Sequence, residues 1–353
     1  MVATRDQKLR VVVATPLSEE NCALIERLEP RVSLIRDQSL YPPMRHPADF
    51  SGDPQFQRSP AQQQAFETML DSAEALYGIP DVDPAALNRT ARANPRLRWV
   101  HVMAAGGGSQ VKAANLDSDQ LNRIKFTTSA GVHGGPLAEF AVFGVLAGAK
   151  SLGRLLHQQN ERRWTGRWEM LQVSEMTVLV VGLGGIGAQV ARMLSALGAS
   201  VIGTSRHARP VDHVDRIIHV EEIADTVADV DAIVLTLPGT SATEKLIGVD
   251  VLAKVRPGTI VVNVGRGTVV DEDALIEALR DGRIGFAALD VFAVEPLPVE
   301  SPLWSEPNVL VSPHTAALNV AEDRLIAELF AANATRLLDG EPLINEVDTI
   351  DFY

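Results

Sequence analysis

Cysteine is nearly missing: Cys22 is the sole one among 353 residues, which excludes an intramolecular disulfide framework and a cysteine-ligated metal centre. Net positive charge is missing as well. The balance is −13, so the surface repels nucleic acid and anionic lipid, and an anionic ligand requires a specific local cation. No apolar run reaches membrane-spanning length; the longest helix-like one, residues 136–149, contains Glu139. The brief N-terminal run LRVVVAT closes at Pro16, short of a signal-peptide core. No His, Asp and Glu cluster has metal-ligand spacing, and there is no fixed-period repeat or low-complexity tract. The expectation is a folded cytoplasmic protein with no nucleic-acid, membrane or metal partner, in which Cys22 is a buried packing residue.

The chain does have ample apolar residues, 46%, with 22% charged, a balance that builds packed cores. Its length exceeds one ordinary core, so two domains with a cleft between them are expected. Twelve short β-branched runs alternate with helical patterns: LRVVVAT, RVSLI, ALYGI, LRWVHVM and KFTTS, then TVLVVG, SVIGTS, RIIHV, AIVLTLP, TIVVNV, FAALDVF and NVLVSP. Such alternation predicts an α/β protein of two doubly wound, Rossmann-like parallel sheets, and all-apolar strands fit sheets covered on both faces. A long helical pattern over residues 135–164 separates the two series. A last helical pattern, 319–338, stops at Gly340 and is expected to return to the first domain. The domains are therefore 1–130 plus 316–353, and 131–315. Residues 36–60 lose periodicity and turn to Pro, Gln, Asp and Ser; they read either as a solvated excursion or as a lid or subunit contact.

The most informative local signal is TVLVVGLGGIGAQVARMLSALGA, where an apolar strand runs into Gly182-Leu183-Gly184-Gly185-Ile186-Gly187 and then an amphipathic helix. Gly182 permits the turn, Gly184 lets a pyrophosphate approach the backbone, Gly187 seats the helix against the strand, and the helix N-terminus meets phosphate charge. This makes 131–315 the NAD(P)-binding domain. The following strand ends Thr204-Ser205-Arg206, without the acid that bonds a ribose 2′-OH. Ser205 and Arg206, assisted by Arg209, suit a 2′-phosphate, so NADP(H) is preferred and NAD(H) remains compatible.

Three polar residues follow strands of this second series: Arg266 after TIVVNVG, Glu295 after FAALDVFAV and His314 after NVLVSP. Ligands bind at the carboxyl ends of parallel strands, so the three can converge. A guanidinium holds a substrate carboxylate and polarises the neighbouring carbonyl, an imidazole moves a proton near neutral pH, and a carboxylate beside it favours the imidazolium and fixes the tautomer.

With these motifs assembled, GLGGIG, VNVGRG, DVFAVEPLP and SPLWSEPNVLVSPHTA, the chain resembles the D-isomer-specific 2-hydroxyacid dehydrogenase family over nearly its whole length. The resemblance implies an NAD(P)-dependent oxidoreductase acting at C2 of a small 2-oxo or D-2-hydroxy acid, of the glyoxylate or hydroxypyruvate type. It gives Arg266 to the substrate carboxylate and carbonyl, and the Glu295 and His314 pair to acid/base work. It places Leu237, Pro238, Thr243, Val264 and Asp290 near the cofactor, Asp290 by the nicotinamide carboxamide, and assigns the 104–108 loop, with Ala105, Gly106 and Gly107, to the substrate carboxylate. That loop departs from the family's usual Gly-Ala-Gly-Asp by reading Ala105-Gly106-Gly107-Gly108-Ser109. Residues 154–168 match the family's dimer arm, which implies a homodimer joined through the cofactor domains. Of the other histidines, His101 reads as a core residue and His133 as a turn residue at the domain crossing. The competing reading is a dinucleotide-sensing, corepressor-like regulator on the same fold.

Overall fold

The structure, a computed structural model, describes residues 8–46, 48–205, 210–350 and 352. All twelve expected strands form: β1 Leu9–Val13, β2 Val32–Ile35, β3 Ala75–Tyr77, β4 Trp99–Val102, β5 Lys125–Thr128, β6 Thr177–Val181, β7 Ser200–Thr204, β8 Arg216–Ile218, β9 Ala232–Leu235, β10 Thr259–Asn263, β11 Ile284–Leu289 and β12 Val309–Val311. They make two sheets, ordered β2-β1-β3-β4-β5 and β12-β11-β10-β9-β6-β7-β8. Every neighbouring pair is parallel. The chain forms two compact units, Met1–His133 with Leu318–Tyr353, and Gly134–Ala317.

In the first unit the β strands are almost wholly buried because helices cover both faces, and the C-terminal helix Glu322–Asp339 returns to pack beside helix Glu19–Leu28. Phe330 of that helix stacks on Trp99 at 4.5 Å between ring centroids, and Gly340 ends it with φ 72°. Cys22 lies in this core, where burial pushes its thiol up to about 12, so it packs rather than reacts. The described part of 36–60 mixes exposed positions with anchored ones. Leu40, Tyr41, Asp49 and Gly52 are buried, Tyr41 Oη donates to the Val13 carbonyl at 2.8 Å, and Arg45 pairs with Asp49 at 2.7 Å.

In the second unit the strands turn at their carboxyl ends toward one edge of the sheet. The chain runs β6, β7, β8 outward, then crosses to β9 on the other side of β6, which makes the gap between β6 and β9 a topological switch point. The long helical pattern resolves into two helices, Gly134–Ala149 and Leu152–Asn160, bent by 66°. The break is at Ser151, whose φ of 55° lies outside the right-handed helical region. Neither helix is long and apolar enough to cross a membrane, nor is any other single helix among the described residues.

Candidate active site

The glycine turn follows β6. Gly182 adopts φ +103°, and its N–H donates to Thr204 Oγ1 at 2.8 Å, tying the turn to the end of β7. A Cβ on Gly187 would stand 1.9 Å from the Gly182 carbonyl oxygen, so only glycine lets helix Gly185–Ala196 start this close to the strand. Among the described residues, a Cβ on Gly184 or Gly185 would meet nothing within 4 Å, and no side chain caps the helix N-terminus. Open space above uncapped N–H groups is the cradle a pyrophosphate requires. Ile186 lies in the first turn of that helix. Across the switch point Leu237 and Pro238 follow β9, with Thr243 Oγ1 donating to the Pro238 carbonyl at 2.7 Å, and Val264 is buried just after β10. Ser205 follows β7, whereas Arg206 and Arg209 lie outside the described residues.

Arg266, Glu295 and His314 follow β10, β11 and β12, which are side by side in the sheet, so parallel pairing alone delivers all three to one edge. Asn263 sets the first loop: its Oδ1 accepts the Gly265 N–H and its Nδ2 donates to the Arg266 carbonyl, both at 3.0 Å. The neighbouring Gly267 is pressed onto the next loop, where a Cβ would stand 1.8 Å from the Phe292 carbonyl carbon. The Glu295 loop is closed by its own carboxylate, whose Oε1 accepts the Phe292 N–H at 3.0 Å. A cis peptide joins Glu295 to Pro296.

The third loop is held by Asp290, directly after β11 and completely buried. Its Oδ1 accepts from Ser312 Oγ at 2.5 Å and from the Thr315 and Ala316 N–H groups at 2.9 and 3.0 Å. That grip brackets His314 and sustains its left-handed φ of 53°, sparsely populated for a residue with a side chain. His314 Nδ1 then meets Glu295 Oε2 at 2.7 Å. Burial pushes the Glu295 carboxyl up, but hydrogen bonds from His314 and the Phe292 N–H, with the charges of His314 and Arg266, hold it below its ordinary range. Glu295 is therefore an ionised partner for the imidazole at neutral pH. With Nδ1 taken, Nε2 is the ring nitrogen left for a reacting oxygen.

The other Asp290 oxygen, Oδ2, is buried without a partner. An unpaired carboxylate oxygen beside the His314 loop calls for a donor such as a carboxamide NH2. Together with the glycine cradle, this fits a nicotinamide dinucleotide.

Comparison with known proteins agrees. Residues 142–316 match the family model "D-isomer specific 2-hydroxyacid dehydrogenase, NAD binding domain". A glyoxylate/hydroxypyruvate reductase B from Yersinia enterocolitica is 35% identical over 279 residues, covering 74% of this chain and 82% of that protein. The chain belongs to the D-isomer specific 2-hydroxyacid dehydrogenase family. A glyoxylate reductase from Aeropyrum pernix is 32% identical over 78% of this dehydrogenase and 84% of its own length. A family member from Xanthobacter autotrophicus Py2, crystallised with NADPH and MES, superposes with TM-score 0.75 at 29% identity, covering 98% of this chain and 100% of that one. The dehydrogenase is thus an NAD(P)-dependent oxidoreductase with the two-sheet α/β fold of its family.

The loop that the resemblance assigns to the substrate lies in the first unit, after β4: Ala105 and Gly106 are exposed and Gly107 is packed over Val102. His101 is fully buried, bonded to Thr127 at 2.8 Å and Ser129 at 3.2 Å, and burial lowers it to about 3. His133 is more than a turn residue, since its Nε2 meets Glu322 Oε1 at 2.7 Å. Sequence reasoning passed over Asn263, Gly267 and the bracing role of Asp290. An Asn closing an apolar strand was the available signal for the first.

Proposed function

We propose that this dehydrogenase reduces a small 2-oxo acid of the glyoxylate or hydroxypyruvate type to the D-2-hydroxy acid, with NADP(H) preferred. The observation that carries the reading is the 2.7 Å His314 to Glu295 pair within reach of the Arg266 charge. A bound nicotinamide supplies the hydride for C2. Arg266 holds the substrate carboxylate and polarises the C2 carbonyl, where negative charge develops in the transition state. His314 donates its Nε2 proton to the carbonyl oxygen, and in oxidation takes it back. Glu295 orients the ring through Nδ1 and keeps the protonated form available. Asp290 offers Oδ2 to the carboxamide, which would fix the ring face presented to the substrate. The 104–108 loop offers backbone N–H groups to the carboxylate, and the absence of an acid at Thr204-Ser205 supports the 2′-phosphate preference.

Two further assignments go with this reading. The cofactor unit pairs with a second copy: helix Leu152–Asn160 buries no residue, and Trp164, Met170 and Leu171 are exposed beside it. The lone buried Cys22 suits a reducing, cytoplasmic setting.

A panel of glyoxylate, hydroxypyruvate and phenylpyruvate, each run with NADPH and NADH, tests the proposal. Expected are turnover of the small acids and higher kcat/KM with NADPH. Tight dinucleotide binding with no turnover of any acid would instead mark a dinucleotide-sensing regulator.

A further inference from the structure

Arg266 has the longest side chain of the three groups that follow β10, β11 and β12, and it is exposed. An exposed arginine has many rotamers to lose when it takes hold of a carboxylate, so a direction set in advance favours binding. The head is held at one point. Nη1 donates to the Gly265 carbonyl at 2.7 Å, and no other hydrogen bond or ion pair engages the guanidinium among the described residues.

The stem is held by a space. A Cβ on Gly239 would stand 3.2 Å from Arg266 Cβ, 3.3 Å from its Cγ and 2.9 Å from Thr268 Oγ1. The first two distances are shorter than ordinary carbon contact, so the stem lies along a notch that exists because residue 239 has no side chain. Gly239 is not among the positive-φ glycines, so the position uses space and not an unusual backbone conformation. The notch is fixed relative to the arginine from both sides. β9 and β10 pair with Leu235 beside Asn263, and just beyond them a Cβ on Gly265 would stand 2.5 Å from the Leu237 carbonyl oxygen, so the two loops meet backbone to backbone. Thr243 closes the Gly239 loop: its Oγ1 accepts the Thr240 N–H at 2.9 Å and donates to the Pro238 carbonyl at 2.7 Å.

We propose that Gly239 is a positioning residue for Arg266: its notch and the Gly265 carbonyl together aim the guanidinium before substrate arrives. The inference rests on the reading of Arg266 as the ligand of the substrate carboxylate and carbonyl, and deepens it. A forked contact to a carboxylate tolerates little misplacement. A methyl group in the notch therefore acts on the substrate through the arginine and leaves NADPH binding alone.

Gly239→Ala is expected to lower kcat/KM for glyoxylate about tenfold, with the NADPH Kd within about twofold of the parent. A loss of NADPH affinity matching the loss in kcat/KM would overturn the proposal. In an Arg266→Ala background the same substitution is expected to change the single-turnover rate by less than about twofold, because no guanidinium is left to misaim; a further loss of about tenfold would overturn it. Adding Thr268→Ala to Gly239→Ala relieves the hydroxyl contact alone and is expected to restore the rate by less than about twofold, whereas full restoration would place the effect at Thr268. A readout independent of turnover is the nitrogen relaxation of the Arg266 Nε–H, assigned by its loss in Arg266→Lys. In the full-length parent it is expected to be restricted relative to that of Arg92, also exposed, and in Gly239→Ala to lose that restriction. Equal mobility of Arg266 and Arg92 overturns the proposal without any variant. If the parent reduces no 2-oxo acid, the functional reading fails separately and the relaxation measurement decides the role of Gly239.

Discussion

At the carboxyl end of the five-stranded sheet, His101 is completely buried against Thr127 and Ser129, and burial lowers it to about 3. At the same end of the seven-stranded sheet, His314 keeps 46% of its side chain exposed and shares a proton-bearing contact with Glu295. The sheets have the same parallel construction, so the contrast lies in where each imidazole stands. His101 is inside β4, where both faces are covered and no carboxylate bonds it, and the neutral ring is a packing element. His314 is past β12, on a loop clamped by Asp290, where the ring meets solvent and the Glu295 carboxylate. Distance beyond the strand end separates the packed histidine from the solvent-facing one here.

Four variants sharpen or break that contrast. His314→Gln is expected to lower kcat/KM for 2-oxo acid reduction about a thousandfold, a general acid's worth, with NADPH affinity within a few-fold of the parent. A loss below tenfold would make His314 dispensable. Gly267→Ala places a Cβ against the Phe292 carbonyl and is expected to cost about 3 kcal/mol of stability in the second unit, read by denaturant unfolding. No change would mean that the Arg266 and Glu295 loops are not in register through that contact.

His101 makes a prediction about pH. Its folded value lies below its unfolded one, so the unfolded chain takes up a proton as pH falls from about 6.5 toward 3, and stability is lost across that window at about 1.4 kcal/mol per pH unit. His101→Gln should flatten the slope of unfolding free energy in the first unit by that amount; parallel slopes would refute a neutral buried ring. The smallest effect is expected from Glu295→Gln. Glu295 is held below its usual range and so faces the imidazole as a carboxylate, and its loss is expected to move the alkaline fall of reduction to lower pH. An unmoved profile would remove Glu295 from proton handling.

Much of this was legible in local pattern. Twelve β-branched runs became twelve strands because parallel sheets covered on both faces need unbroken apolar segments, and the GLGGIG turn announces itself by steric need at Gly182 and Gly187. Arg266, Glu295 and His314 were visible as candidates because each follows its strand within six residues. The rest depends on partners far apart in the chain. His133 and Glu322 are separated by 189 positions, and Ala48 and Asp323 by 275, so no periodicity joins them, and the aperiodic 36–60 segment gave no sign of its anchor on Asp323. The helix break at Ser151 carries no proline, and the nearby Gly148 and Gly153 lie inside the two helices rather than at the break. The resemblance sets Asp290 beside the cofactor, whereas its hold on Ser312, Thr315 and Ala316 appears only when β11 and β12 lie side by side.

The central claim is that a guanidinium joins the imidazole and carboxylate at one reacting carbon. Single-turnover reduction of glyoxylate by NADPH-loaded Arg266→Ala tests it most directly. The account predicts a rate at least a hundredfold below the parent with cofactor binding retained; a rate equal to the parent's would contradict it.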